Sequence, residues 1–320
     1  MSGVPAVGID IGGTKIAGAL VATDGTIAHR ERIETPDADS DSILDATAAI
    51  VTRLVETAGG EVSGVGIACA GMVDGRTGHM WFAPNLPWRD VAVADEVRAR
   101  TGHRILVEND ANAAAWGEYR HGAGVDCDDM LLATVGTGVG GGCIVDDRLL
   151  RGAFGIGGEI GHIVLDPDGP LCGCGNSGCL EVFASGTALE GYARELVASG
   201  EAKGAGLRER CGGDPTVLTG QDVTELARAG DEGAVGLLTL LGSRLGAGLA
   251  SVAAVLDPGL VVIGGGVADA GALLLDPVAE AYVEHQIGRG HRPSPDVVLA
   301  TLGNDAGIVG VAALARESTA

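Results

Sequence analysis

Apolar, β-branched residues cluster at 4–9, 16–21 and 27–33, with Gly12-Gly13 and Asp24-Gly25 between the clusters. This pattern predicts three strands joined by tight turns, the opening of an antiparallel sheet. Ile43, Leu44, Ile50, Val51, Leu54 and Val55 then recur at helical spacing up to Gly59-Gly60, which predicts a crossover helix. Residues 62–69 and 104–107 are further expected strands, and the helix between them is expected to carry Val91, Val93, Val97 and Ala99. The first part of the chain therefore reads as mixed α/β. A short helix around 113–119 leads into the hydrophilic stretch 122–129, where a domain boundary is expected.

A new strand at 130–135 runs into the glycine-rich stretch 136–142 and a returning strand at Cys143-Ile144-Val145. That order of strand, glycine turn and strand repeats the opening of the chain, although too few residues match to establish an internal repeat. Helices are expected over 187–198, 222–229 and 231–255. A buried strand at 260–263 precedes Gly264-Gly265-Gly266, followed by a helix at 273–286, a strand at 297–300 and a last helix at 306–316 that returns to the first domain.

With 320 residues, 46% of them hydrophobic, the chain is long enough for two domains and a cleft between them. Its formal net charge of −22, from 43 acidic against 21 basic residues, offers no broad positive field for nucleic acid or an anionic membrane. A nucleotide remains compatible, because a glycine loop and a bound cation can reverse the field locally. No signal-peptide core precedes the first strand, so a cytoplasmic location is expected, and no uninterrupted apolar run has the length of a membrane span. Three of the seven cysteines crowd between Cys172 and Cys179, which points to a metal site rather than a disulfide framework.

Asp10-Ile11-Gly12-Gly13-Thr14-Lys15 is the sharpest early motif. Two adjacent glycines bring backbone N–H groups close to phosphate oxygens, Thr14 adds a hydroxyl, and Asp10 at the strand end can hold Mg2+ directly or through water. Lysine occurs only at Lys15 and Lys203, so Lys15 is less easily dismissed as surface charge. The competing reading is a plain hairpin. The stretch 136–142 can hold another part of the same polyphosphate, or be a turn without a ligand; Gly264-Gly265-Gly266 can border a base or ribose, or simply join strand to helix. Neither of the first two clusters is a P-loop or opens a Rossmann unit, because strands follow both.

Glu108-Asn109-Asp110 follows a strand directly. Asp110 there can accept the proton of an attacking sugar hydroxyl and Asn109 can orient a neighbouring one, while the same tripeptide serves equally well as a helix N-cap. His162, Cys172, Cys174 and Cys179 form a four-ligand nitrogen and sulfur set suited to structural Zn2+, with no position left for a catalytic water. If one His162 nitrogen binds zinc, the other can donate to a sugar. Glu159 and Glu181 would be brought to the same pocket, and carboxylates with an amide suit a neutral polyol.

Together, Asp10-Ile11-Gly12-Gly13-Thr14-Lys15, Glu108-Asn109-Asp110, Gly158-Glu159-Ile160-Gly161-His162 and the cysteine loop ending in Glu181 resemble the ROK family of sugar kinases and repressors over nearly the whole chain. The resemblance implies an α/β, actin-like two-domain ATPase fold of ribonuclease H-like domains with an interdomain active-site cleft. The smaller N-terminal domain would take residues 1–120 and 303–320, and the larger one, with the zinc loop, 121–302. It implies ATP-dependent phosphorylation of the 6-hydroxyl of glucose, with Asp110 as general base and Asn109, Glu159, His162 and Glu181 on the sugar. Asp10, Gly12, Gly13 and Thr14 would form the phosphate motif, Thr137 and Gly138 its second segment, and Gly265 and Gly266 the nucleoside side. A homodimer or homotetramer is implied. The family's repressors carry an N-terminal helix-turn-helix, for which the early phosphate motif is expected to leave no room.

Asn85, in Ala83-Pro84-Asn85-Leu86-Pro87-Trp88, is a further expected sugar contact, with a turn cap as its alternative and Trp88 either sugar-facing or core. Glucose is favoured over mannose, fructose, N-acetylglucosamine, N-acetylmannosamine and a non-catalytic sensing role because the polar set leaves no acetyl methyl to accommodate. ATP is favoured over polyphosphate because no long basic track is evident.

Overall fold

The opening apolar clusters become β1 (Ala6–Ile11), β2 (Lys15–Val21) and β3 (Ile27–Glu34), paired antiparallel in succession. The computed structural model describes residues 3–37 and 39–318. Helix α1 (Ser40–Thr57) is N-capped by Asp39, whose Oδ1 accepts the Ser42 N–H at 2.9 Å, and it buries the six apolar residues that predicted it. The chain continues through β4 (Val65–Cys69), β5 (Met72–Asp74), β6 (His79–Phe82), β7 (Arg89–Val91), α2 (Val93–Thr101), β8 (Ile105–Asn109) and α3 (Asp110–His121). Parallel β4 and β8 extend the first sheet to the order β3-β2-β1-β4-β8.

The small antiparallel sheet β5-β6-β7 was not expected, and it corrects one placement: Val91 belongs to β7, where it pairs with Met80, and not to the following helix. Strands of three or four residues show too little alternation to be read from sequence.

Next come β9 (Met130–Val135), β10 (Val139–Val145), β11 (Arg148–Leu149), α4 (Glu181–Ala184), α5 (Gly186–Ser199), α6 (Ala205–Arg210), α7 (Gly220–Arg228), α8 (Glu232–Leu256), β12 (Leu260–Gly264), α9 (Ala272–His285), β13 (Asp296–Leu299) and α10 (Ala306–Glu317). β12 lies parallel between β9 and β13, and β10 pairs antiparallel with β11. The 25-residue α8 is long and apolar, but glycines and Arg244 interrupt it, in keeping with the expectation that no uninterrupted apolar run has the length of a membrane span. It packs against α9, α7 and α5 and buries Leu237, Leu238, Leu241, Leu245 and Leu249, as the core helix of a folded unit does.

The chain forms two compact units. One is built from the chain up to Asp128, Gly142–Gly158 and the chain from Thr301; the other from Asp129–Gly141 and Glu159–Ala300. In the first, α10 lies on β1 and β4 so closely that a Cβ on Gly8 or Gly66 would collide with the Ile308 or Val311 carbonyl. The fully buried Glu118 of α3 accepts N–H groups from Ala123 at 2.9 Å, Thr301 at 3.1 Å and Leu302 at 2.7 Å, tying the segments just beyond α3 and just before α10 to one helix.

Candidate functional site

In the first unit, parallel β1, β4 and β8 end in register, Ile11 beside Cys69 and Cys69 beside Asn109, so Asp10, Cys69 and Asp110 emerge at the same strand ends. Open α/β sheets bind ligands at such carboxyl ends. The β1–β2 turn is closed by the Gly12 N–H donating to the Lys15 carbonyl at 2.9 Å. Thr35 braces it from outside, its hydroxyl donating to the Gly12 carbonyl at 2.7 Å and its N–H to the Thr14 carbonyl at 3.1 Å. Gly13 is needed for close approach: a Cβ there would lie 3.0 Å from both Cβ and the carbonyl oxygen of Asn85. The structure thus places Asn85 against the β1–β2 turn. Trp88 is fully buried, which settles it as core.

The carboxyl of Asp10 is pushed up from 3.8 to about 6, first by burial and then by the Asp110 charge, with Lys15 pulling it back. Burial likewise holds Asp110 above the usual carboxylate range, although the Ala111 N–H pulls the other way. Cys69, fully buried behind them, is held well above the usual thiol range by burial and then by Asp110 and Asp10. Asp110 is the first residue of α3, and Asn109 is the N-cap, its Oδ1 accepting the N–H groups of Ala111 at 2.9 Å and Asn112 at 3.0 Å. Asn109 Nδ2 donates to the Gly71 carbonyl at 3.1 Å, which leaves one amide hydrogen for another acceptor.

Sequence reasoning missed what holds this helix start. Glu108, 1% exposed, receives the Arg151 Nε on Oε2 at 2.6 Å, and its Oε1 accepts from the Asn109 N–H and Asn112 Nδ2, both at 3.1 Å. Forty-three residues separate the pair, so no local spacing could have announced it.

In the second unit, the β9–β10 turn is closed by the Gly136 N–H donating to the Gly138 carbonyl at 3.0 Å. It is held to the start of α5 by the Gly186 N–H on the Gly136 carbonyl and the Thr187 hydroxyl on the Thr137 carbonyl, both at 2.7 Å. Glu181 reaches this turn: its Oε2 accepts the Val139 N–H at 3.1 Å, and a Cβ on Gly138 would collide with that oxygen. Its Oε1 lies 3.6 Å from Cys172 Sγ. Glu181 therefore joins the second glycine turn to the cysteine loop.

The ligand atoms of His162, Cys172, Cys174 and Cys179 all lie within 4.8 Å of one another. Cys172 Sγ is 3.6 Å from His162 Nδ1, and Cys174 Sγ is 3.6 Å from Cys179 Sγ. A tetrahedral site with bonds of about 2.3 Å spaces its ligand atoms about 3.8 Å apart, so the cluster has the size zinc requires. Backbone bonds shape the loop around it: the Cys172 N–H donates to the Asn176 carbonyl at 2.7 Å and the Leu180 N–H to the Ile163 carbonyl at 2.8 Å. Gly161, one residue before His162, abuts the Val139 carbonyl, which leaves no room for a side chain and sets the short turn Ile160–His162 beside the start of β10.

Gly265 has φ of +84°, and a Cβ there would sit 2.5 Å from the Val135 N and O, so the fold itself demands glycine. Gly266 is different. It lies outside the left-handed region, is exposed, and has no protein atom within 4 Å of the Cβ position it leaves empty; Gly136 likewise has a free Cβ position.

The profile of the ROK family matches residues 6–318. A glucokinase of Streptomyces coelicolor is 43% identical over 311 residues, which cover 97% of each chain. An N-acetylmannosamine kinase of Escherichia coli is 36% identical over 316 residues, covering 96% of this chain and 97% of its own. The crystal structure of a ROK family glucokinase from Streptomyces griseus in complex with glucose and AMPPNP matches with a TM-score of 0.87 at 44% identity, over 98% of this chain and 99% of that one. The two mixed α/β units have the actin-like fold of these sugar kinases. With strands, turns and cysteine loop in place along a match that runs almost end to end, the chain belongs to the ROK family.

Proposed function

We propose that the protein transfers the γ-phosphoryl group of ATP to the 6-hydroxyl of glucose, giving glucose 6-phosphate and ADP. The observation that carries the chemistry is Asp110, a carboxylate raised in pKa by burial, held at the first turn of α3 by the Asn109 cap and beside the β1–β2 turn. A base needs a pKa closer to neutrality than a free carboxylate has, and burial supplies the shift. Asp110 takes the hydroxyl proton as the sugar oxygen forms its bond to phosphorus and the bond to the ADP oxygen breaks. Asn85, Asn109, Glu159, His162 and Glu181 orient the sugar. Gly12, Gly13, Thr14 and Lys15 take phosphate oxygens from one turn, Thr137 and Gly138 from the other, and Gly265 and Gly266 border the nucleoside.

Asp10, a half-buried carboxyl near a second one and partly offset by Lys15, fits a divalent cation; it would hold Mg2+, which neutralises phosphate charge when bound. His162, Cys172, Cys174 and Cys179 would hold Zn2+, which stiffens the loop carrying His162 and Glu181. The acidic surface fits a partner set of sugar and ATP without nucleic acid or membrane, a cytoplasmic setting where ATP is available, and a homo-oligomer as in the family.

The test is a product-detected assay of glucose, mannose, fructose, N-acetylglucosamine and N-acetylmannosamine, each with ATP and with polyphosphate. Glucose with ATP is expected to give the highest kcat/KM, and Asp110→Asn to lower kcat by about 10²-fold or more. An acetylated amino sugar exceeding glucose tenfold would replace the substrate, consistent with the N-acetylmannosamine kinase relative. Sugar binding without any phosphorylated product would replace the kinase by a sensor.

A further inference from the structure

The Glu108–Arg151 pair has no part in the chemistry above, yet it is the most deeply buried ion pair among the described residues. Arg151 lies in the segment between β11 and Glu159, which belongs to the first unit and is fastened to the β5–β6 region of it at two points. The Arg76 Nη2 donates to the Gly152 carbonyl at 3.2 Å and Gly155 abuts the Val73 carbonyl, while the Gly157 N–H closes the segment on itself by donating to the Arg151 carbonyl at 3.0 Å. The turn between β5 and β6 closes over the pair, where a Cβ on Gly75 would sit 2.9 Å from Arg151 Nε and 3.0 Å from Glu108 Oε2.

Glu108 faces two ways. One oxygen meets Arg151; the other receives the Asn109 N–H and the Asn112 side chain, which flank Asp110 on either side in the first turn of α3. A buried carboxylate deprived of its only cation is costly, and the structure relieves it by moving or rehydrating the groups around it. Here those groups set the direction in which Asp110 leaves the strand.

We propose that Arg151 is a positioning residue for phosphoryl transfer: by pairing with buried Glu108 it fixes the β8 end and first turn of α3, and so the aim of Asp110 at the sugar hydroxyl. This rests on the assignment of Asp110 as base. Displacement of a reacting group by about 1 Å costs on the order of 10²-fold in rate, so the loss falls on kcat.

The experiment compares Arg151→Met, Glu108→Gln and the double variant Glu108→Gln/Arg151→Met, measuring kcat, both KM values and unfolding midpoints with the best hexose of the wild type. Arg151→Met is expected to lower kcat by about 10-fold to 10²-fold with both KM values within about threefold. The double variant is expected to recover most of that loss, because glutamine keeps an oxygen for Asn109 and Asn112 while removing the stranded charge. Arg151→Met with normal kcat and only a lower midpoint would overturn the proposal, leaving a purely structural pair. A double variant as slow as Arg151→Met would also overturn it, since Arg151 would then act on the substrate directly. Failure of the kinase reading shows separately, as wild-type protein that phosphorylates no hexose or as an Asp110→Asn variant with full activity.

Discussion

Replacing Gly266 by alanine separates what a ligand demands from what the fold demands. A methyl at Gly266 would meet no protein atom within 4 Å, and its φ lies outside the left-handed region, so the folded chain has no quarrel with a side chain there. The same holds at Gly136. Both substitutions should leave stability unchanged or raise it by about 0.4–1 kcal/mol, because alanine restricts the unfolded chain. If ATP passes close to these backbones, each methyl takes up contact space, and a tenfold rise in KM for ATP corresponds to a loss of about 1.4 kcal/mol. The KM for glucose should not change. Gly265→Ala is the contrast: with φ of +84° and backbone atoms of Val135 at 2.5 Å from the new Cβ, it should destabilise by several kcal/mol, on the order of 3 or more. Urea unfolding together with kinetics at varied ATP and saturating glucose reads all three variants. Wild-type stability with an unchanged KM for ATP at both Gly136 and Gly266 would refute a nucleotide role for these openings, and destabilisation equal to that of Gly265→Ala would show that the fold needed them.

The proposed zinc should contribute through loop shape, since the candidate cluster offers four protein ligand atoms. Cys174→Ser is expected to release the metal and raise the KM for glucose although Cys174 need not touch sugar; elemental analysis showing full metal content in this variant, or full activity after verified metal removal from the parent, would contradict it. Asp10 binds its proton more tightly in the folded protein, at about 6 against 3.8, so its contribution to stability falls as pH rises between those values and the full cost stands above them. A shift of roughly two units amounts to about 3 kcal/mol. Metal-free Asp10→Asn should therefore be more stable than the parent by up to that amount at pH 8 while losing activity, with the gap closing near pH 4; a gap that does not change with pH would mean that burial of this charge is not its source.

The sequence by itself determined the elements whose signal is local. The apolar spacing of Ile43 to Val55 marked α1, the long apolar segment after Asp231 marked α8, and the glycine turns between flanking strands marked both phosphate-turn candidates, because each pattern lies within one continuous stretch of chain. The cysteine spacing likewise announced a candidate metal-ligand set, since Cys172, Cys174 and Cys179 share one loop; that His162 Nδ1 faces Cys172 is a tertiary result. The tripeptide Glu108-Asn109-Asp110 stayed ambiguous between cap and catalytic group. The structure gives Asn109 the cap and leaves Asp110 at the strand ends, two tasks that adjacent residues can share. Tertiary structure alone decided the rest. Thr35 bracing the Gly12 turn, Glu181 beside Gly138, and Arg151 on Glu108 are contacts across 23, 43 and 43 residues. They arise from strand register and chain return, neither of which leaves any periodicity along the sequence to be read.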